Sequence, residues 1–209
     1  MEKKNLYIDY DGCIANSIKA ICEMYDEDYW AYKAYKKVDW SEINSWNFDE
    51  LELASKEEID DYFNQQRFFN RVEFMPWADF ILRRLSSYFN ITIVSMGNTD
   101  NLAYKKLWCK IKLPFADYIG INFDDYSDKA HIDMSDGIFI DDVVANLNTS
   151  NAQKKICFGD KYSWNQDWDG VRCANWFDVW KLIGEPVRRE VSQMVSAEEQ
   201  KILRRFIYG

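Results

Sequence analysis

Two carboxylate pairs are the side chains of this 209-residue sequence best suited to chemistry. Asp9 and Asp11 stand two residues apart, and Gly12 after them tolerates the positive φ of a sharp turn that brings backbone amides close to an anion. Asp141 and Asp142 are adjacent, and neighbouring carboxylates repel each other unless a cation offsets them. Because hard cations prefer oxygen ligands, the second pair indicates a metal ion, Mg²⁺ above all.

Ordinary structural roles are the alternatives for these residues. Aspartate and glycine are common in turns after strands, and one residue of the 141–142 pair could cap the next helix while the other binds metal. Ser95 precedes Met96 and Gly97, so its hydroxyl and the next amides could hold a phosphate oxygen at a helix start. A plain helix cap explains Ser95 as well, and Lys129 alone is typical of solvated surface.

Short apolar runs end at these polar residues and predict strands buried on both faces of a sheet. The runs occupy residues 5–8, 91–94, 137–140 and 155–158, with a weaker run at 118–121. Strands that alternate with helical patterns predict an α/β fold with a Rossmann-like, mostly parallel sheet. Because ligands of such sheets bind at the carboxyl ends of the strands, the polar residues should meet in one site.

Apolar residues at helical spacing predict the helices between these strands. One helix is carried by Ala78, Ile81, Leu82, Leu85 and Phe89. Another begins after Asn98 as its cap and is carried by Leu102, Ala103, Leu107 and Ile111. Beyond residue 186, the capping-box pattern of Ser196–Glu199 predicts a terminal helix, and the role of the 187–209 tail stays open.

Residues 16–75 interrupt the alternation, because they hold helical patterns and no strand. One helix face consists of Ile18, Ile21, Tyr25, Tyr29 and Tyr32. A capping box at Ser55–Glu58 predicts a second helix that runs towards Phe69. We therefore predict a core domain of residues 1–15 and 76–209 with a small helical cap, 16–75, inserted after the first strand. The insertion carries most of the net negative charge of the chain.

Composition excludes several classes of protein. With 47% apolar and 29% charged residues the chain can bury a core, and its formal charge of −9 disfavours long nucleic acid as a partner. Its apolar runs are too short to span a membrane, and we expect no secretion because Asp9 and Asp11 interrupt the first hydrophobic run. Five cysteines without a Cys-x-x-Cys pair argue against disulfides or structural zinc, so we expect a cytoplasmic protein.

In combination, the four motifs resemble those of the haloacid dehalogenase (HAD) superfamily, in its phosphatase branch. An Asp-x-Asp-Gly motif, a Ser or Thr, a Lys and an Asp-Asp pair follow in that order, each at its expected place between residues 5 and 142. Receiver domains use similar residues, but there the acidic pair comes before the phosphorylated aspartate. A true dehalogenase lacks the second aspartate of the first motif, which is present here as Asp11.

The resemblance implies a mechanism. Asp9 is the nucleophile that forms an aspartyl-phosphate, and Asp11 is the acid and then the base. Asp9, the Asp11 carbonyl and the 141–142 pair hold Mg²⁺, while Ser95 and Lys129 clamp the transferring phosphoryl oxygens. His131, the only histidine, is not needed in this scheme.

Within the superfamily the chain resembles the 5'(3')-deoxyribonucleotidase-like group, the type C 5'-nucleotidases. The supporting segments are Ile8–Ala15, Trp46–Glu50 in the insertion, Phe74–Ala78, Ile140–Asp142, and the Lys161–Asn165 and Val171–Trp176 pair. Cys13, Asp160 and the long tail depart from the usual pattern, which weakens any transfer of substrate preference.

The implied substrate is a small phosphomonoester, a nucleoside monophosphate above all. The insertion would close over the site, and aromatic residues could stack on the base: Trp46, Phe48, Phe68, Phe69 and Phe74. Most of these could equally form the cap's own core. The alternatives are a phosphatase of sugar phosphates or of nucleic-acid 3' ends, and a catalytically weak nucleotide-binding protein. The sequence leaves open which base and sugar are preferred and whether the phosphate is 5' or 3'. It also leaves open whether the protein forms a homodimer.

Overall fold

A six-stranded parallel sheet forms the centre of the computed structural model, which describes residues 3–159 and 162–184. Its strands are β1 (Lys4–Ile8), β2 (Phe89–Gly97), β3 (Asp117–Asn122), β4 (Gly137–Asp141), β5 (Lys154–Phe158) and β6 (Val171–Cys173). They are ordered β3-β2-β1-β4-β5-β6, and all five pairings are parallel. The predicted fold class is confirmed. The three-residue β6 was missed because so short a strand carries no readable pattern.

Seven helices of the described residues connect and flank the strands. They are α1 (Ser17–Tyr29), α2 (Lys56–Tyr62), α3 (Gln66–Arg71), α4 (Ala78–Leu85), α5 (Thr99–Lys112), α6 (Val144–Thr149) and α7 (Trp176–Ile183). In the described part of the chain, none is both long and apolar enough to cross a bilayer. The helix predicted in the 187–209 tail lies outside the described residues.

Three predicted helices extend less far than expected. Tyr32 lies beyond the end of α1 and is exposed, and Phe89 begins β2 rather than continuing α4. The helix that starts at the capping box of Ser55 ends at Tyr62, because the next amides turn back in short i to i−3 hydrogen bonds. A separate helix, α3, carries Phe69. Apolar periodicity alone therefore predicted each helix to extend beyond its observed end.

The predicted apolar face of α5 is wrong. Leu107 and Ile111 are 55% and 65% exposed. The buried residues of α5 are Asn101, Lys105, Trp108 and Cys109. Two of these four side chains are polar, so a search for apolar periodicity selected the opposite side of the helix. The predicted Asn98 cap is confirmed, since its side chain accepts a hydrogen bond from the Asn101 amide.

The insertion leaves and rejoins the core at one point. Ala15 and Phe74 form an isolated antiparallel bridge, and the Asn16 amide donates to the Glu73 carbonyl at 2.9 Å. Buried side chains of α1, α2 and α3 belong to the same hydrophobic cluster as those of β1 and β2. Because one continuous core joins the insertion to the sheet, the two should unfold together.

Truncation of Phe68 tests this continuity. Phe68 is fully buried in α3 and packs against Phe63 and Phe69. We expect Phe68→Ala to lower the free energy of unfolding by about 3 to 5 kcal/mol in a single transition, as is typical of buried Phe. Phe123→Ala, at a 62% exposed ring, should change it by no more than about 0.5 kcal/mol in the same urea titration. A separate early transition in the first variant would contradict a shared core.

Candidate active site

Asp9 follows β1 directly, at the carboxyl edge of the sheet. Its amide donates to the Ile140 carbonyl at 2.9 Å, and its side chain is almost completely buried. The chain then turns sharply, and the amides of Ile14 and Ala15 both donate to the Tyr10 carbonyl. This turn holds Asp9 opposite the end of β4, where the second acidic pair begins.

Gly12 is required in this turn for two physical reasons. Its φ of +71° lies in the left-handed region, which side chains disfavour. A Cβ atom at this position would also lie 2.7 Å from Oδ2 of Asp142, well inside van der Waals contact. The first acidic motif therefore fits against the second only because Gly12 has no side chain.

Both carboxylate oxygens of Asp141 have hydrogen-bond donors. The Val143 amide donates to Oδ1 at 2.7 Å. Oδ2 accepts from Nδ2 of Asn146 at 3.1 Å and from Nζ of Lys129 at 2.7 Å. The buried Lys129 ammonium also donates to Oδ1 of Asp9, so one lysine links the two acidic motifs. Asp141 thus holds the turn that precedes α6 and anchors Lys129.

Only one of the two carboxylate oxygens of Asp142 accepts a hydrogen bond from the described residues. Oδ2 accepts from the Trp164 indole at 2.8 Å, whereas Oδ1 is buried without a hydrogen-bond partner among the described residues. Within the described chain, ligand atoms of Asp9, Cys13 and Asp142 lie within 4.8 Å of one another. Burial and the nearby carboxylates raise the pKa of the Cys13 thiol, which keeps it protonated. The two carboxylates are therefore the groups that could hold a cation.

Asp11 is positioned by a lysine that the sequence did not single out. Nζ of Lys105 donates to Oδ2 of Asp11, to the Ser95 hydroxyl at 3.1 Å and to the Met96 carbonyl at 2.9 Å. The Ser17 hydroxyl donates to the other oxygen of Asp11 at 2.6 Å. Lys105 is 2% exposed. Its helical spacing from Asn101 and Trp108 was the signal available, but lysine normally marks an exposed face.

Burial dominates the electrostatics of the cluster. It raises the pKa of Asp9 to about 7, opposed by Lys129 and reinforced by the charges of Asp141 and Asp11. Burial, with the charges of Asp9 and Asp141, also raises the pKa of Asp142 well above its usual value. Burial alone would lower the pKa of Lys129, but Asp141 and Asp9 outweigh it and raise that pKa. The carboxylates are thus short of compensating positive charge.

The structure brings together the six polar residues that the motifs identified. Asp9, Asp141 and Asp142 meet around Lys129, while Asp11 and Ser95 meet at Lys105. Ser95 does not begin a helix as expected, because β2 continues through Met96 and Gly97. Gly97 is buried and packs against the Asn101 side chain.

The aromatic residues of the insertion differ in exposure. Phe48 and Phe68 are buried and form part of the core, so neither presents a ring face to solvent. Trp46 is half-buried, and its ring centroid lies 5.0 Å from that of Trp164. Two further half-buried rings contact α5: Phe69 stacks on Tyr104, and Phe74 packs edge-on against Trp108.

Comparison with known proteins identifies the family. Residues 3–191 match the model of the family described as 5' nucleotidase, deoxy (pyrimidine), cytosolic type C protein. The chain belongs to this type C 5'-nucleotidase family. A 5'(3')-deoxyribonucleotidase of Clostridium acetobutylicum is 30% identical over 182 residues, which cover 86% of this chain and 94% of that protein. This type C nucleotidase is therefore a phosphoric monoester hydrolase.

Solved structures agree with the nucleotidase fold. A protein of Clostridium acetobutylicum described as a predicted phosphatase superposes with a TM-score of 0.59 at 16% identity, covering 88% of this chain and all of that one. A Bacillus subtilis protein described as the putative HAD-hydrolase YfnB bound to magnesium has a TM-score of 0.51 at 12% identity, and the match covers 88% of this chain and 99% of that one. The core of this nucleotidase is thus a HAD fold.

The raised pKa of Asp9 predicts how stability depends on pH without metal. The folded state binds this proton more tightly than the unfolded chain, so the gain is full below pH 4 and is lost as pH rises through about 7. In EDTA we expect the free energy of unfolding to be lower at pH 8 than at pH 5, on the order of 2 kcal/mol. Urea titrations of the wild type and Asp9→Asn measure it, and the variant should depend less on pH. Equal pH dependence in both proteins would refute the assignment to Asp9.

Proposed function

We propose that this protein is a Mg²⁺-dependent phosphatase of nucleoside monophosphates that acts through an aspartyl-phosphate on Asp9. The observation that carries the proposal is the charge of the site. Four carboxylates surround two buried ammonium groups, so the fully ionised site has two uncompensated negative charges: Asp9, Asp11, Asp141 and Asp142 against Lys105 and Lys129. A divalent cation offsets that excess.

The donor set fits Mg²⁺. Asp9 and Asp142 would hold the ion directly, because the buried Oδ1 of Asp142 lacks a protein partner among the described residues. The Asp11 backbone carbonyl is the third protein ligand that the resemblance implies. Asp141 would not contact the ion directly but would hold Lys129 in place beside the site. When bound, the ion offsets the repulsion between the carboxylates and the substrate phosphate.

The protein residues then divide the reaction into two steps. The Asp9 carboxylate attacks phosphorus, and Asp11 gives its proton to the departing ester oxygen. Asp11, now ionised, accepts a proton from the water that attacks the aspartyl-phosphate, which releases inorganic phosphate and restores Asp9. Ser95 and Lys129 hold the transferring oxygens. Lys105 positions Asp11 for both proton transfers through the direct contact of its Nζ with Oδ2 of Asp11.

Residues 16–75 form the cap in this proposal, over a core of residues 1–15 and 76–209. The support is contact with the core on two sides of the site. On one side, the Asn98 and Asn101 side chains donate to Asn64 and to the Phe63 carbonyl, each at 2.7 Å. On the other side, the Ser163 amide donates to an insertion carbonyl at 2.9 Å. A covering cap excludes water from the reacting groups.

Aromatic side chains support a flat substrate base. Trp46 lies against Trp164, which in turn reaches Asp142, so an aromatic surface adjoins the proposed ion site. Phe69 and Phe74 are further candidates for contact with the base, whereas the burial of Phe48 favours a packing role. The family description, together with five unpaired and buried cysteines, supports a cytoplasmic location.

Phosphate release tests the proposed function. We expect the wild type with Mg²⁺ to hydrolyse deoxynucleoside monophosphates in a panel of 5' and 3' nucleotides, sugar phosphates and a 3'-phosphorylated oligonucleotide. Asp9→Asn should abolish turnover, and EDTA should do the same. Asp136→Asn is the matched control, because Asp136 is exposed and bonds Asn5 and Tyr7 near the opposite edge of the sheet.

The pattern of turnover separates the alternatives. Activity confined to sugar phosphates or the oligonucleotide would keep the chemistry and replace the substrate. Nucleotide binding without turnover would overturn the enzymatic proposal in favour of a nucleotide-binding role. Full activity of Asp9→Asn would exclude the aspartyl-phosphate.

Substitution of Lys105 tests its part in catalysis. Lys105→Met keeps the length of the side chain but removes the ammonium that positions Asp11, so we expect kcat to fall about 10- to 100-fold with a smaller change in KM. Lys106→Met alters the exposed neighbour on the same helix and should leave kcat unchanged. Initial rates at saturating Mg²⁺ provide the measurement. An unchanged kcat in Lys105→Met would show that Asp11 needs no support from this lysine.

A further inference from the structure

Trp164 contacts the proposed ion site from outside the four catalytic motifs. It lies in a short 3₁₀ turn, Ser163–Asn165, between β5 and β6. Its indole N–H donates to Oδ2 of Asp142 at 2.8 Å. An indole has one polar hydrogen and cannot accept, so this contact uses its entire hydrogen-bonding capacity.

The contact fixes the direction of the Asp142 carboxylate. Oδ2 lies between the Trp164 indole and the backbone of Gly12, where no side chain can fit. With that oxygen held, Oδ1 is buried and has no donor among the described residues, and a carboxylate oxygen of Asp142 lies within 4.8 Å of one of Asp9. A carboxylate with one oxygen held and one presented is arranged as a ligand of a cation.

Trp164 is itself held by an aromatic stack that reaches the insertion. The Tyr162 ring lies parallel to it, at 4.2 Å between centroids and 10° between planes. The Trp46 ring from the insertion also contacts this indole, at 5.0 Å between centroids and 37° between planes. The Ser163 amide donates to the Asn44 carbonyl at 2.9 Å, which ties the turn to the same part of the insertion. The insertion therefore contacts both the indole and the turn that carries it.

We propose that Trp164 is a positioning residue that orients Asp142 for Mg²⁺, and that Trp46 makes this orientation depend on the closed insertion. The inference rests on the proposed function, because it presumes that Asp142 is a ligand of the ion. It extends that function by linking metal affinity to the position of the cap. An insertion that moved away from the core would release Trp164 and weaken the metal site.

Magnesium binding to the substrate-free protein tests the first half. Isothermal titration calorimetry of chelator-treated full chain gives the dissociation constant without reference to activity. We expect Trp164→Phe, which keeps an aromatic ring but lacks the donor, to weaken Mg²⁺ binding about tenfold, as loss of a ligand-orienting group typically does. Any loss of activity at low Mg²⁺ should disappear at saturating Mg²⁺, where the kcat of this variant should be close to that of the wild type. A general loss of structure would not allow this recovery.

Trp168→Phe is the matched control. Trp168 lies four residues away, and its indole donates to the Val171 carbonyl at 2.9 Å instead of to a carboxylate. Its substitution should leave the dissociation constant within twofold of the wild type, and circular dichroism in EDTA should show both variants folded. If Trp164→Phe binds Mg²⁺ with the affinity of the wild type, the positioning role of Trp164 is overturned, but the proposed metal site is not. Failure of the wild type to bind Mg²⁺ overturns the proposed metal site as well.

A double-mutant cycle tests the second half. Trp46→Leu should weaken Mg²⁺ binding about threefold in the wild type, because the indole of Trp164 loses its neighbour. In the Trp164→Phe background the same substitution should have no further effect, since no indole donor remains to be oriented. Equal effects of Trp46→Leu in both backgrounds would overturn the dependence on the insertion.

Discussion

The burial of like charges is the constraint on which this site depends. Asp9, Asp141 and Asp142 are almost fully excluded from water, and each buried carboxylate costs several kcal/mol unless it is paired. Pairing between β1 and β4 places Ile8 opposite Ile140, so the acidic residues that follow cannot separate. Lys129 pairs with two of them but offsets only one negative charge, and the remaining imbalance makes the site receptive to a cation.

Helix α5 connects this charged site to the segment that covers it. Its first turns bind the insertion through Asn98 and Asn101, and the Trp108 indole donates to the Val72 carbonyl. From the same helix, Lys105 reaches Asp11. One rigid element thus sets both the placement of the insertion and the orientation of the second aspartate. The Trp164 indole similarly contacts Asp142 and orients its carboxylate.

The parts of the structure that could be predicted from sequence are those whose signal is local. Apolar runs identified the first five strands, and the polar residues that end them lie together because parallel strands share one carboxyl edge. Lys105 was missed because its burial depends on Asp11, a partner far away in the chain. The roles of Asp141 and Asp142 were left open for a similar reason: the lysine and tryptophan that distinguish them come from separate loops.

The bridge between Ala15 and Phe74 has a consequence for how this scaffold can change over evolution. Because the two ends of the insertion already lie side by side, its length can vary at a cost in loop-closure entropy that grows only with the logarithm of the number of residues. The strand pairing that holds the carboxylates is independent of that length. Segments of different length can therefore replace the insertion between these two bridged residues. Each replacement must still provide a contact for Trp108 and a neighbour for Trp164.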